Sequence, residues 1–196
     1  MHPALVRQVS AYVIDLFNNY SEQDLPYHNL HHTMFVVKKC EEMGYHYSLS
    51  EDENFILGTA AWFHDTGQLF HYGKHHEEES AAIMKKYMDD INPGSSIINS
   101  IENCILATKM PPDPKSFLEA IICDADTFNL GTDDFLKTDS LLKRECELKE
   151  KKAIDDWDIK TLALLEHHKF FTSYCRRLLN KKKQDNINII RSKLNL

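Results

Sequence analysis

Three short stretches of this 196-residue chain carry side chains whose types and spacing could do chemistry. The first is Tyr27-His28-Asn29-Leu30-His31-His32. His28 and His32 stand four apart and share a helix face that continues through Val36, Cys40 and Met43, so His32 points inward. His31 projects towards the line of Phe35 and Lys38, the more exposed side. The second stretch, Trp62-Phe63-His64-Asp65-Thr66-Gly67, puts an imidazole and a carboxylate at the end of a strongly apolar run. An unpartnered carboxylate there is costly to desolvate, so something must compensate it. The third, Ile121-Ile122-Cys123-Asp124-Ala125-Asp126, again sets carboxylates in an apolar run, with Asp124 on the line of Phe117, Ala120 and Ile121. Two imidazoles and two carboxylates, His32, His64, Asp65 and Asp124, suit a borderline divalent metal with positions left open for water and substrate.

These stretches need helices to position them. Glycine and proline are scarce, at six each, and apolar residues recur at three and four spacing with almost no alternation, which predicts an all-α protein. Leu5, Val9, Tyr12, Val13 and Leu16 form one stripe, giving a first helix over 2–19; a second follows Pro26. The run from Asp52 to Asp65 is apolar almost all round and marks a helix enclosed by others. Gly67 is expected to cap it in the left-handed conformation, placing His64 and Asp65 in its last turn. Further helices are expected near 76–90, 95–108, 116–127 and 133–150, with one or two over 154–194. Breaks fall at Asn92-Pro93-Gly94, in the proline-rich stretch after Met110 and at Gly131. The length suits a single compact domain over 1–196, and no repeat or low-complexity linker interrupts it.

Composition narrows the function. No stretch approaches the roughly 18 to 20 apolar residues that cross a bilayer, and the first seventeen residues lack a signal-peptide core, so a cytoplasmic protein without a membrane partner is expected. Five cysteines, odd in number and without a close pair, read as reduced core thiols. The net charge of -7 is uneven: residues 176–195 hold Arg176, Arg177, Lys181, Lys182, Lys183, Arg191 and Lys193 against Asp185 alone. Without interleaved aromatics or a binding motif, that end reads as a solvated helix face balancing an acidic body, against a nucleic-acid partner. His167 and His168, among Trp157, Phe170, Phe171 and Tyr174, read as the polar edge of an aromatic packing face. Eleven histidines, most of them between His28 and His76, are the unusual item.

The order His, then His-Asp, then Asp resembles the HD-domain superfamily of metal-dependent phosphohydrolases. The stretches YHNLHHTMFVV, AAWFHDTGQ, KHHEEESA and ICDADTFNLG carry the resemblance, over about 26–147, with a helical extension over about 150–196. It implies a compact helical bundle in which His32, His64, Asp65 and Asp124 bind one divalent ion: manganese, iron, cobalt, nickel or zinc, with magnesium a further candidate. The YHN-x-x-H opening is similar to that of cyclic-nucleotide phosphodiesterases, which implies for His28 the role of proton donor to the leaving oxygen. His76, Glu77 or Lys109 is implied to contact substrate phosphate or water, and Asp126 or Asn29 to hydrogen-bond the ligating imidazoles. Two-metal relatives carry a further histidine where this chain reads CILATKM, with Thr108 and Lys109, so a single ion is expected. Nucleotidase members place a glutamate three residues after the HD aspartate; here it is Gln68, which orients water but cannot take its proton. The expected activity is hydrolysis of a nucleotide or similar small phosphate ester through a metal-activated water, with Asp65 central to it. The alternative is a non-catalytic regulatory module binding metal or nucleotide. Oligomeric state is left open.

Overall fold

The structure, a computed structural model, describes residues 2–20, 25–70 and 75–196. These hold nine α-helices, two short 3-10 turns and no strand, so the fold is all-α. By their internal contacts the helices fall into two compact units.

The first unit takes in α1 (His2–Asn19), α2 (Leu30–His46), α3 (Glu51–Phe63), a 3-10 turn (Thr66–Leu69), α4 (His76–Ile91), α5 (Ser95–Ala107) and α6 (Phe117–Asp126). Asn29 starts α2, its side-chain oxygen accepting from the N–H groups of His31 at 2.9 Å and His32 at 3.2 Å. Ser50 starts α3 through a reciprocal capping box with Glu53, which satisfies two otherwise orphaned donors. As its apolar sequence requires, α3 is the enclosed helix, packing against α1, α2, α4, α5 and α6. Its Phe55, Leu57 and Phe63 are fully buried, each stabilising the unit by about 1.5–3 kcal/mol relative to exposure. Left-handed Asn92 ends α4 and Gly94, with positive φ, precedes α5, at the expected break. Cys104 and Cys123 are buried and stand outside any disulfide, and burial pushes the Cys104 thiol up to about 12, which leaves it inert at neutral pH.

The second unit gathers Thr127–Leu196, with 25–27 added from earlier in the chain. It comprises a 3-10 turn (Phe128–Gly131), α7 (Phe135–Glu150), α8 (Trp157–His167) and α9 (Ser173–Lys193). Asp139 ties α8 to α7, accepting from Trp157 Nε1–H at 3.0 Å and from the Thr161 hydroxyl at 2.9 Å. The Asn186 amide of α9 donates to the carbonyls of Leu130 at 3.0 Å and Thr132 at 3.1 Å. Several basic residues of α9 are used inside this unit: Arg191 pairs with Glu166 at 2.7 Å and Lys182 with Asp133, while Lys183 is buried with its ammonium donating to the His168 carbonyl.

His168 itself is buried, its Nε2 3.0 Å from the Thr127 hydroxyl and its ring edge-on to Phe170. Burial, with Lys183 adding repulsion, pushes the imidazole down to about 4. The unfolded chain therefore binds the extra proton between pH 4 and about 6.5, so stability is intact above that window and is lost as pH falls through it. The loss expected from this group is about 2–3 kcal/mol. Urea unfolding from pH 7 to pH 4 should show that decline, and His168→Gln should flatten it; an equally steep decline in the variant refutes the assignment.

Candidate metal centre

His32 is the third residue of α2, aimed inward as its helix line predicts and buried. His64 and Asp65 follow the last residue of α3. The helix stops there because the Thr66 hydroxyl donates to the Phe63 carbonyl at 2.8 Å and Asp65 leads into the 3-10 turn. Gly67 does not form the left-handed cap expected from the sequence: among the described glycines only Gly94 has positive φ. Its missing side chain instead allows a close approach. A Cβ on Gly67 would stand 2.1 Å from the His76 carbonyl oxygen, and the Gly67 N–H donates to Ser80 Oγ at 2.8 Å, seating the turn against the start of α4.

Four side chains converge on one point: His32, His64, Asp65 and Asp126 each offer a ligand atom, and these atoms all lie within 4.8 Å of one another. The fourth member is Asp126, where the sequence reading expects Asp124. Asp124 is buried but stands outside the group, whereas Asp126 is the last residue of α6. The line through Phe117, Ala120 and Ile121 selects the residue facing the packed middle of α6; the cluster lies at that helix's end, within reach of its final side chain.

The distances are those of a ligand set. His32 Nε2 lies 3.1 Å from Asp126 Oδ1, 3.3 Å from Asp65 Oδ2 and 3.4 Å from His64 Nε2. His64 Nε2 lies 3.1 Å from Asp65 Oδ2 and 3.6 Å from Asp126 Oδ1. Atoms bound at roughly 2.0–2.2 Å to a common ion stand about 3–3.6 Å from each other. The tautomer also fits: His64 Nδ1–H donates to the Ala61 carbonyl at 2.8 Å, which leaves Nε2 to face the other ligand atoms. Asp65 Oδ2, although close to both Nε2 atoms, lies in hydrogen-bond line with neither and is buried without a hydrogen-bond partner among the described residues. A cation fits this donor set and satisfies that oxygen.

The electrostatics agree. Burial alone lowers the pKa of both imidazoles, but the Asp65 and Asp126 carboxylates outweigh it, raising His32 and holding His64 well above its ordinary value. For Asp65, burial pushes the carboxyl up, but the imidazoles of His64 and His28 prevail and hold it well below the usual carboxylate range. Asp126 is likewise lowered, chiefly by His32 and His64 against its burial. A divalent cation in place of the imidazole protons would meet the same two carboxylates, so its binding would be coupled to proton release.

Around this group the remaining expected residues divide. The His28 ring centroid lies 5.9 Å from that of His32 and 6.2 Å from that of His76. His76 Nε2 lies 3.5 Å from Asp65 Oδ1, on the far side of that carboxylate, and its Nδ1 lies 3.4 Å from Oε2 of buried Glu77. Gln68 is buried in the 3-10 turn. Lys109 stands outside the group, in an exposed ion pair with Glu78.

The HD-domain family model matches residues 29–158, which include all four converging side chains, and the chain belongs to that family. Its members are generally metal-dependent hydrolases, and HD domains bind divalent metals. No curated protein and no solved structure was found to match the chain. No helix among the described residues is long and apolar enough to cross a membrane.

Proposed function

We propose that this chain hydrolyses a phosphate ester of a nucleotide or a similar small phosphorylated metabolite. The observation that carries the reading is the convergence of His32, His64, Asp65 and Asp126, with one buried carboxylate oxygen left for a cation. Bound there, a divalent ion lowers the pKa of water from about 15.7 towards 7 and polarises a phosphoryl oxygen.

The chain's own residues supply the rest. His28, beside the rings of His32 and His76, donates a proton to the leaving oxygen. His76, spanned between Asp65 and Glu77, orients water or a phosphate oxygen. Gln68 holds water through its amide without accepting the proton. Lys109 exchanges its contact with Glu78 for substrate phosphate, adding a charge-assisted hydrogen bond. Replacing the proton donor, His28→Gln, lowers turnover about 10²- to 10⁴-fold while metal content stays unchanged; unaltered turnover removes His28 from the chemistry.

The deciding experiment is elemental analysis of the purified protein, then a screen of nucleoside mono-, di-, tri- and cyclic phosphates with each candidate metal. Metal-dependent release of phosphate or nucleoside supports the proposal; absence of both metal and turnover across the panel rejects it. Gln68, at the sequence position where nucleotidase members carry a glutamate, favours a second reading as a non-catalytic regulatory module. That reading requires metal and nucleotide binding with no turnover in the same screen.

A further inference from the structure

The first unit contains a recess formed by α1, α2 and α3 and lined by none of the four converging residues. Its volume is about 410 Å³, within the range of small-molecule sites, roughly 300–1,000 Å³. The walls are apolar, from Val6, Val37, Leu49, Phe55, Leu57 and Trp62. Its polar lining is acidic: Glu41 and Glu51, both exposed, together with Asn54. The Asn54 amide nitrogen is already committed, donating to the carbonyls of Leu49 at 2.8 Å and Ser50 at 2.9 Å. Neither glutamate has an ion-pair partner among the described residues, and no lysine or arginine lines the recess. What a ligand meets is an apolar chamber whose free polar groups are acceptors bearing negative charge.

Gly58 points the same way. It sits in the interior of α3, where glycine is a poor helix former. At Gly67 a Cβ would strike a neighbouring backbone, but a Cβ built on Gly58 meets nothing within 4 Å. No close packing of helices requires glycine here; its missing side chain leaves space in the recess that it lines.

From these features we infer that the recess between α1, α2 and α3 binds a small amphiphilic cation, an organic ammonium ion whose apolar body fills the chamber and whose charge meets Glu41 and Glu51. The charge complementarity decides among occupants of equal shape: a carboxylate faces two like charges, a neutral alcohol gains only the apolar contact, and an ammonium gains both. This inference is independent of the phosphohydrolase proposal, since it uses different residues and a different readout.

The test is calorimetric titration of the full chain with three probes of matched body: 4-phenylbutylammonium, 4-phenylbutanol and 4-phenylbutanoate. The ammonium should bind saturably at one per chain, about three- to ten-fold more tightly than the alcohol, with the carboxylate weakest. Raising the salt should narrow that gap. The double variant Glu41→Gln, Glu51→Gln should bring the ammonium down to the affinity of the alcohol, which itself should not change. Gly58→Leu should block all three by filling the chamber. Should that variant fail to fold, the double variant, altered only at exposed positions, carries the test alone. Absence of saturable ammonium binding, equal binding of ammonium and carboxylate, or unchanged binding in a folded Gly58→Leu protein overturns the inference.

Discussion

Asp65→Ala should empty the chain of metal, from about one ion per protein to under about a tenth, and abolish phosphatase turnover with it. Loss of residues that merely orient ligands costs about 10- to 100-fold in metal affinity, and Asp65 itself faces the Nε2 atoms of both His32 and His64, so its removal is expected to cost more. The imidazoles also lose the carboxylate that raises them, which removes charge balance as well as a ligand atom. Paired variants identify the fourth ligand: Asp126→Asn should lose metal as Asp65→Ala does, whereas Asp124→Asn should keep it. Full metal content in Asp126→Asn alongside loss in Asp124→Asn would reverse the assignment drawn from the geometry. Metal per folded chain, with circular dichroism to confirm folding, reads all three.

Gly67→Ala is expected to be the most damaging single methyl in the first unit. Its Cβ would fall 2.1 Å from the His76 carbonyl oxygen and 2.9 Å from that carbonyl carbon, so no side-chain rotation relieves the clash. The turn and α4 must part, which breaks the Gly67 N–H bond to Ser80 and draws His76 away from Asp65. We expect a cost of about 2–4 kcal/mol, from overpacking and the loss of a buried hydrogen bond. That corresponds to a melting midpoint lower by roughly 5–15 °C for a chain of this size. An unchanged midpoint would show that the turn and α4 are not in fixed contact.

Part of this arrangement is legible in the sequence alone. The inward aim of His32 followed from the apolar line through Val36 and Cys40, and the enclosure of α3 followed from a sequence apolar on every side. Helix periodicity speaks to residues within a helix and says less about those at its end. Asp124 satisfies the periodic rule and is indeed buried, but the group gathers at the end of α6, where Asp126 reaches it. Glycine commonly ends helices, which makes Gly67 read as a cap; its role depends on how near the backbone of the following helix, α4, comes to it, which no local pattern encodes. The pairing of Lys109 with Glu78 was hidden for the same reason, since the partners lie 31 residues apart.

The hydrogen bond from His64 to Ala61 couples two events usually treated separately. The Ala61 carbonyl is the acceptor that a continuing α-helix would offer to the N–H four residues on, at Asp65. Because α3 terminates at Phe63, that oxygen is free to fix the ring. The helix end and the ring's orientation thus meet at one carbonyl. A substitution that lengthens α3 by a turn would add the Asp65 N–H as a second donor to that oxygen and would carry Asp65 out of the turn that now holds it, so the ring would keep its tautomer while the carboxylate moved.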